Sequence, residues 1–397
     1  MIFPQAPINR VGEVSFIKTH PLTHLFCVLF LASPFFTGFS YASEFCRSRQ
    51  SEISLRLTDG DIHINTHWDN HLLKTAPFFF KSDHEVRVSD AKSSFFASNE
   101  YDYFRSPKRD PNDRSEIVLG FGSNGSWDIA ARTGAEKMVL GDWSLGPLVM
   151  NENLFRPIFL ISSTRAEFIA NLAGVPNYSK AENLTSIFLN IRNRLSENPR
   201  GYPQRTEEIV NQLRALGDRR IGPQQINFIR RMQAALPPDN PDVSPNAYGK
   251  NSSLEEILFA FESRYASAAL EESVHNGDPF FHFLASEEAY QRVRKLQESV
   301  EYAYASFDDS KLVERISQTA QFEGYEGISF HWSNIPDSLE LNYPGSRSSA
   351  LNLHSQILRR QKGISPENIR FYETQGLGPV HTFTNMSLQE INPNREE

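Results

Sequence analysis

Short apolar runs and segments with a helical period alternate along the chain from about residue 115. Residues 115–122 (SEIVLGFG) form a short apolar run that closes on glycines, and residues 126–135 (SWDIAARTGA) are helical in composition. A second apolar run, residues 137–141 (KMVLG), ends at Asp142. The order of strand, glycine turn, helix, strand and acid predicts a βαβ unit.

The stretch from about residue 145 to 297 has a mainly helical pattern. Its segments carry apolar residues three to four positions apart and end at a glycine, a proline or a polar break. These segments are residues 162–174, 185–195, 205–217 and 222–236. Ser286 stands where the N-cap of a further helix is expected. The pattern predicts a helical insertion over about residues 160–297 that packs on itself.

Strand patterns return after this insertion. Apolar runs at residues 300–307 and 327–332 flank a helical segment, and the β segments IRFYET and VHTFTN follow a helix over residues 348–362. Alternating strands and helices are typical of a doubly wound, mostly parallel sheet. We therefore predict an α/β, Rossmann-like domain over residues 115–397, with a ligand cleft at the carboxyl ends of its strands.

The segment before this domain, residues 43–114, predicts a small β structure. Apolar and polar residues alternate on both sides of an Asp-Gly-Asp turn at 59–61, as they do in a β-hairpin. His63, His67 and His71 have the four-residue spacing of one helix face, but His63 lies in the alternating stretch. The pattern therefore predicts no metal site.

The first 42 residues have the features of a signal peptide. An apolar run at residues 22–39 follows two basic residues and precedes a small-x-small cleavage pattern that ends at Ala42. The alternative is an uncleaved inner-membrane anchor, although Pro34 interrupts the run. We expect a periplasmic or secreted protein, with a membrane partner only if the segment stays uncleaved.

Composition limits the classes of protein and partner. The chain has 397 residues, with 40 Lys and Arg against 48 Asp and Glu, for a net charge of −8. Binding to the nucleic-acid backbone calls for a basic surface, so no nucleic-acid partner is expected. Two cysteines exclude a disulfide scaffold. Thirty Phe and thirteen Tyr provide ample apolar area for a folded core.

The glycine turn is the candidate ligand site. Gly120, Gly122 and Gly125 form a G-x-G-x-x-G pattern, which lets a ligand approach the backbone at a helix N-terminus. Asp142 follows the next strand, where an acid can accept hydrogen bonds from ribose hydroxyls. The pattern predicts a nucleoside-binding unit, with a ligand-free α/β turn as the alternative. It does not choose between NAD, FAD and S-adenosylmethionine.

Four segments, in this order, resemble a Leptospira-type bacterial family whose members are similar to class I S-adenosylmethionine-dependent methyltransferases. They are SNEYDYF at 98–104, the stretch from IVLGFGSNGS to EFIANLAG at 117–174, FLASEEAYQRVRKLQ at 283–297 and GISFHWSNIPDSL at 327–339. The resemblance implies S-adenosylmethionine as the cofactor and a methyltransferase-like function without indicating a substrate.

The same resemblance implies which residues bind the cofactor. The three glycines of the turn would lie against its methionine part, and Asp142 would hold its ribose. Asp308 would face the adenine amino group, and Glu100 would meet the ammonium. The alternatives are that Asp308 and Asp309 cap the following helix and that Glu100 is a solvated surface acid.

Two further residues are implied in catalysis. Asn334, in SNIPD, stands where N-methyltransferases have an Asn/Asp-Pro-Pro-aromatic motif that orients a substrate amine, and His331 is an optional base. The alternatives are an Asx-turn at Asn334 and a packed strand residue at His331. A cytosolic cofactor and an exported chain are at odds, so a second hypothesis is an exported, non-catalytic binding or effector protein that retains the Rossmann-like fold.

Overall fold

A computed structural model describes the parts of the chain that form the sheet and the helices around it. The residues described are 62–82, 115–121, 125–133, 135–142, 144–176, 183–198, 201–234, part of 254–266, 282–333, 345–360, 363–375 and 382–391. The signal peptide and the predictions for Glu100, Gly122 and Asn334 lie outside these residues.

A seven-stranded sheet organises the fold. Its strands are β1 Phe78–Lys81, β2 Glu116–Phe121, β3 Lys137–Asp142, β4 Glu301–Tyr304, β5 Gly327–Ser333, β6 Ile369–Gln375 and β7 Thr382–Ser387. They lie in the order β1-β4-β3-β2-β5-β6-β7. Neighbouring strands are parallel except β6 and β7, which are antiparallel.

Helices connect the successive parallel strands from β2 to β6, as is usual for parallel crossovers. They are α1 Ile62–Thr75, α2 Gly125–Thr133, α3 Leu145–Met150, α4 Arg156–Ile161, α5 Arg165–Ala173, α6 Leu184–Glu197, α7 Pro203–Ala215, α8 Pro223–Ala234, α9 Glu287–Glu298, α10 Ser310–Glu323 and α11 Ser346–Arg360. A π-helix, Asn151–Phe155, joins α3 to α4, and a 3₁₀ turn, Pro366–Asn368, precedes β6.

The helices bury the two faces of the sheet separately. We call the face covered by α2 and the helices between β3 and β4 the insertion face; Val118, Leu140 and Tyr302 contribute to its core. The face covered by α10 and α11 is the opposite face, with Leu119 and Phe330 in its core. Successive side chains of a strand point to opposite faces of the sheet. In these central strands both sets of side chains are apolar, as expected for a parallel sheet that is covered on both faces.

The predicted fold class is confirmed. The sheet is mostly parallel and doubly wound, the predicted strand at residues 115–122 is β2, and the predicted helical segments correspond to α5, α6, α7 and α8. Ser286 is an N-cap whose side chain accepts a hydrogen bond of 3.1 Å from the Ala289 amide. Local periodicity was sufficient for these elements because each is bounded by a cap or a turn residue.

The prediction of a second strand in the N-terminal hairpin is wrong. Residues 62–75 form helix α1, and the β structure within the described part of this segment is β1, which pairs with β4 in the main sheet. Trp68 and Leu72 are four residues apart and almost fully buried in the insertion-face core. Burial of one helix face against the rest of the protein therefore outweighs the local strand-like alternation.

An aromatic cluster holds α2 against the insertion. The Trp127 indole lies 5.3 Å from the Phe155 ring and 5.1 Å from each of the rings of Phe159 and Phe283, all in edge-to-face geometry. Such pairs add to the stabilisation that comes from burial alone. Trp127 is two residues after the start of α2, so the cluster fixes the helix close to the glycine turn.

A charged network anchors the loop between α7 and α8 beneath β4. Arg220 donates to both carboxylate oxygens of Glu152, at 3.0 and 2.5 Å, and to the Val300 carbonyl at 3.0 Å. The Tyr302 hydroxyl donates to Glu152 at 2.8 Å and accepts from the Asn151 amide at 2.9 Å. Burial, together with the Glu152 carboxylate, raises the pKa of Tyr302 well above its usual value. The neutral phenol therefore remains a hydrogen-bond donor.

The packing of α11 buries a neutral histidine. His354 is fully buried beside the Trp332 ring, at a centroid distance of 4.9 Å, and its ring nitrogens have no hydrogen-bond partner within the described part of the chain. Burial lowers the pKa of His354 to about 4, although the charge of Asp308 acts in the other direction. The imidazole is therefore uncharged at neutral pH.

Because His354 is buried in its neutral form, we expect the protein to lose stability in mild acid. The pKa is about 6.5 in the unfolded chain and about 4 in the folded one, so between these values the unfolded state binds more protons. The histidine's contribution is complete above about pH 6.5 and declines as the pH falls towards 4. We expect the free energy of unfolding to fall by about 2 kcal/mol between pH 7 and pH 5 from this residue. Urea titrations of the protein and of His354→Leu at both pH values measure it; an equal pH dependence in the two proteins would contradict the prediction.

Candidate functional site

The carboxyl ends of the parallel strands bring the predicted site residues to one edge of the sheet. Gly120 lies beside His331 in the pairing of β2 with β5, and Phe121 lies beside Gly141 in the pairing of β2 with β3. Asp142, the last residue of β3, is at the same edge. The chain moves outward from β2 through β3 to β4 and then crosses to β5 on the other side of β2. Such a switch point is where open α/β sheets bind ligands.

Gly120 is required by the close approach of α2. A Cβ atom at this position would lie 2.1 Å from Ser126 Oγ and 2.3 Å from Ser126 Cβ, which are impossible contacts. The first turn of α2 therefore packs directly on the backbone of β2. Close helix–strand packing is usually served by the third glycine of such a turn, and here the first glycine, Gly120, makes that contact.

Ser126 and His331 form a buried hydrogen bond across the switch point. Ser126 Oγ and His331 Nδ1 are 3.0 Å apart, and both residues are fully buried. His331 therefore uses Nδ1 for a protein hydroxyl, and action as a base would have to use Nε2. The alternative named for His331, a packed residue within a strand, agrees with its burial.

Asp142 is held in a defined orientation at the end of β3. Its Oδ1 accepts a hydrogen bond of 2.7 Å from the Ser144 amide, and Asp142 is 5% exposed. Ser144 in turn is the N-cap of α3 and accepts from the Gly146 amide at 3.4 Å. A carboxylate oriented in this way next to the glycine-turn strand is suited to accepting hydrogen bonds from a diol.

Asp308 follows β4 by four residues and is partly exposed. The alternative was a helix cap made by Asp308 and Asp309. Asp309 makes this cap at the start of α10, because its Oδ1 accepts a hydrogen bond of 3.0 Å from the Lys311 amide. Asp308 thus lies in the loop at the carboxyl end of β4, close enough to His354 for its charge to influence that ring.

The segment FLASEE joins the insertion to α2. Asp128 Oδ1 accepts a hydrogen bond of 2.7 Å from the Phe283 amide. Arg165 donates to the carbonyls of Leu284 and Ala285 at 2.6 and 2.7 Å. These bonds pair backbone groups that are buried or partly buried, which gives the segment a structural role.

Sequence reasoning missed two interactions near this edge. The first is Ser126, whose partner lies 205 residues away along the chain. The second is the pairing of Arg347, in the first turn of α11, with Glu373 near the carboxyl end of β6; the Glu373 side chain is 1% exposed. The signal for Glu373 was an acid two residues after Phe371, in phase with the apolar side of the strand, since a buried carboxylate needs a charged partner.

Comparison with known proteins gives no family. No model of a protein family matches the chain. No curated protein matches it either. Across the described residues, no group of three or more His, Cys, Asp or Glu side chains could hold a metal ion. Within the same residues, no helix is both long enough and apolar enough to cross a membrane.

Proposed function

We propose that the chain is an S-adenosylmethionine-dependent methyltransferase-like protein whose substrate is not yet assigned. The observation that carries the proposal is the position of Asp142. It ends the strand next to β2 at a topological switch point, with its carboxylate oriented by the Ser144 amide. An acid in this place beside a glycine turn is the arrangement that nucleoside-binding α/β units use for ribose.

The sheet favours a single nucleoside over a dinucleotide. Only six residues separate β6 from β7, and the two strands are antiparallel. A parallel crossover needs a dozen or more residues, so the strand beyond β6, where a dinucleotide-binding sheet has its last parallel strand, is antiparallel here. Within the described residues, the half of the sheet that begins at β5 therefore has no third parallel strand for a second mononucleotide.

Several residues at this edge would hold the cofactor. Asp142 would bind the ribose, Asp308 the adenine amino group, and the backbone at Gly120 and Gly125 the methionine part, whereas Glu100 and Gly122 stay predictions from the sequence. The cofactor would supply an activated methyl group. The protein would supply alignment and the exclusion of water, which are the main needs of a methyl transfer. Asn334 stays the prediction for orienting the substrate.

The apolar run at residues 22–39 supports a second proposal, an exported binding or effector protein that keeps the fold without catalysis. A signal peptide would place the protein away from the cytosolic cofactor. Binding of S-adenosylmethionine separates the two proposals, because the first requires it and the second does not.

The test is a calorimetric titration of the full chain with S-adenosylmethionine, alongside Asp142→Asn. The substitution keeps an oxygen that can accept from the Ser144 amide but replaces a carboxylate oxygen with an amide donor. We expect the protein to bind the cofactor and the variant to bind it about tenfold more weakly, because one charge-assisted bond to the ribose is lost.

Two outcomes would contradict the proposal. Absence of binding at millimolar cofactor would exclude the methyltransferase-like function. Equal binding by the variant would remove the ribose-binding role of Asp142. Thermal unfolding of both proteins controls for loss of fold.

A further inference from the structure

The bond between Ser126 and His331 lies between the two central strands and the helix that starts at the glycine turn. His331 belongs to β5 and lies beside Gly120 of β2 in the strand register. Ser126 is the second residue of α2. One hydrogen bond therefore links β5 to the first turn of α2, across the strand that leads into the turn.

Steric contact and the hydrogen bond act on the same atoms. The missing side chain of Gly120 leaves room for Ser126, and the Ser126 hydroxyl meets His331 Nδ1 at 3.0 Å. The contact with Gly120 sets how closely α2 can approach β2, and the bond to His331 sets where the helix lies along the strands. Together they determine the position of the backbone amides at the start of α2.

We infer that Ser126 and His331 are positioning residues for the cofactor site, and that His331 acts through Ser126 and α2 rather than as a base. The inference rests on the proposed function, because it assigns a role within the same site. Their bond fixes the first turn of α2 in the position where its backbone would contact the methionine part of the cofactor. A helix start that is displaced by a fraction of an ångström would no longer present its amides in the productive geometry.

The sheet provides a matched control for a purely structural role. Ser329, on the same strand as His331, donates a hydrogen bond to the buried carboxylate of Glu116 on β2. This is also a buried serine bond between elements at the centre of the sheet, but it lies at the amino end, away from the glycine turn. Loss of either serine hydroxyl should reduce stability, whereas only loss of Ser126 should affect the cofactor.

The experiment measures the dissociation constant of S-adenosylhomocysteine by calorimetry for the full chain and for a set of variants, at a temperature where circular dichroism shows each to be folded. The variants are Ser126→Ala, His331→Leu, His331→Asn, the double variant Ser126→Ala/His331→Leu, and Ser329→Ala. Asparagine can place a polar atom near the position of Nδ1, so it tests rescue of the bond.

We expect Ser126→Ala and His331→Leu each to raise the dissociation constant about tenfold, the effect of losing one buried hydrogen bond. The dissociation constant of the double variant should also rise about tenfold, because both changes remove the same bond. The dissociation constants of His331→Asn and Ser329→Ala should both stay close to that of the unsubstituted protein. The inference is overturned if Ser329→Ala weakens binding as much as Ser126→Ala, or if the effects of the two single changes multiply.

A second readout separates this inference from the proposed function. If the unsubstituted protein does not bind the ligand at millimolar concentration, the proposed function fails, and hydrogen exchange of the amides of residues 129–133 then tests the positioning role. Faster exchange in Ser126→Ala and His331→Leu, but not in Ser329→Ala, supports it. Unchanged exchange in the first two variants overturns it.

Discussion

Replacement of Arg220 by methionine is expected to lower the free energy of unfolding by about 4 kcal/mol, because it leaves a buried carboxylate without its charged partner. The Glu152 side chain is 1% exposed, and Arg220 donates two hydrogen bonds to it. The Tyr302 hydroxyl would remain as a donor but cannot neutralise the charge. Urea unfolding followed by circular dichroism measures the effect.

Two further variants test whether burial is the cause. Adding Glu152→Gln to Arg220→Met removes the uncompensated charge, so most of the lost stability should return. Arg230 and Glu207 form the same type of two-bond pair, at 2.7 and 2.6 Å, but Glu207 is 50% exposed. Arg230→Met should therefore cost less than about 1 kcal/mol. Equal losses for the two arginine variants would refute the explanation by burial.

Substitution of Gly120 by alanine is expected to lower the free energy of unfolding by about 3 kcal/mol, at the upper end of the usual cost of overpacking. The new methyl group would lie 2.3 Å from Ser126 Cβ, so relief requires a shift of α2 rather than a side-chain rotation. Weaker binding at the glycine turn should accompany the loss of stability. Thermal and urea unfolding report the first effect, and calorimetry with S-adenosylmethionine reports the second.

A second-site change identifies the collision. Ser126→Gly removes the two atoms that a Cβ at Gly120 would overlap, and leaves Ser126 Cα at 3.4 Å. We expect the double variant Gly120→Ala/Ser126→Gly to be at least as stable as Gly120→Ala alone, although Ser126→Gly by itself is destabilising. Gly222→Ala is the control, because its nearest neighbour would lie at 3.6 Å. Strict additivity of the two changes would show that the collision is not the cause.

The central βαβ unit was predictable because its signals are local. Three short elements make up the unit: β2, α2 and β3. The apolar residues of each follow a single strand or helix pattern, and glycines and Asp142 mark the ends of the elements. The edge shared by Gly120 and Asp142 also followed from sequence, since parallel strands that are joined by a helix end on the same side.

Helix α1 and the side-chain pairs could not be predicted in this way. The strand-like alternation near residue 62 is outweighed by burial of Trp68 and Leu72 against the insertion. Arg220 belongs to a loop that looks solvated in sequence, and its carboxylate partner is 68 residues away. A tertiary contact of this kind leaves no periodic trace, so patterns locate the elements but not the bonds between them.

Strand β1 has a consequence for the order in which the protein is made. Phe78 pairs with Tyr302, about 220 residues further along the chain, so α1 and β1 emerge from the ribosome long before their partner strand exists. The three successive phenylalanines of β1, Phe78 to Phe80, therefore have no partner strand in the nascent chain until β4 has been synthesised. Such a distant pairing slows folding, since a large loop must close before the contact forms. Pairing of β1 with β4 therefore cannot precede the synthesis of Tyr302, and it requires the closure of a loop of more than half the chain.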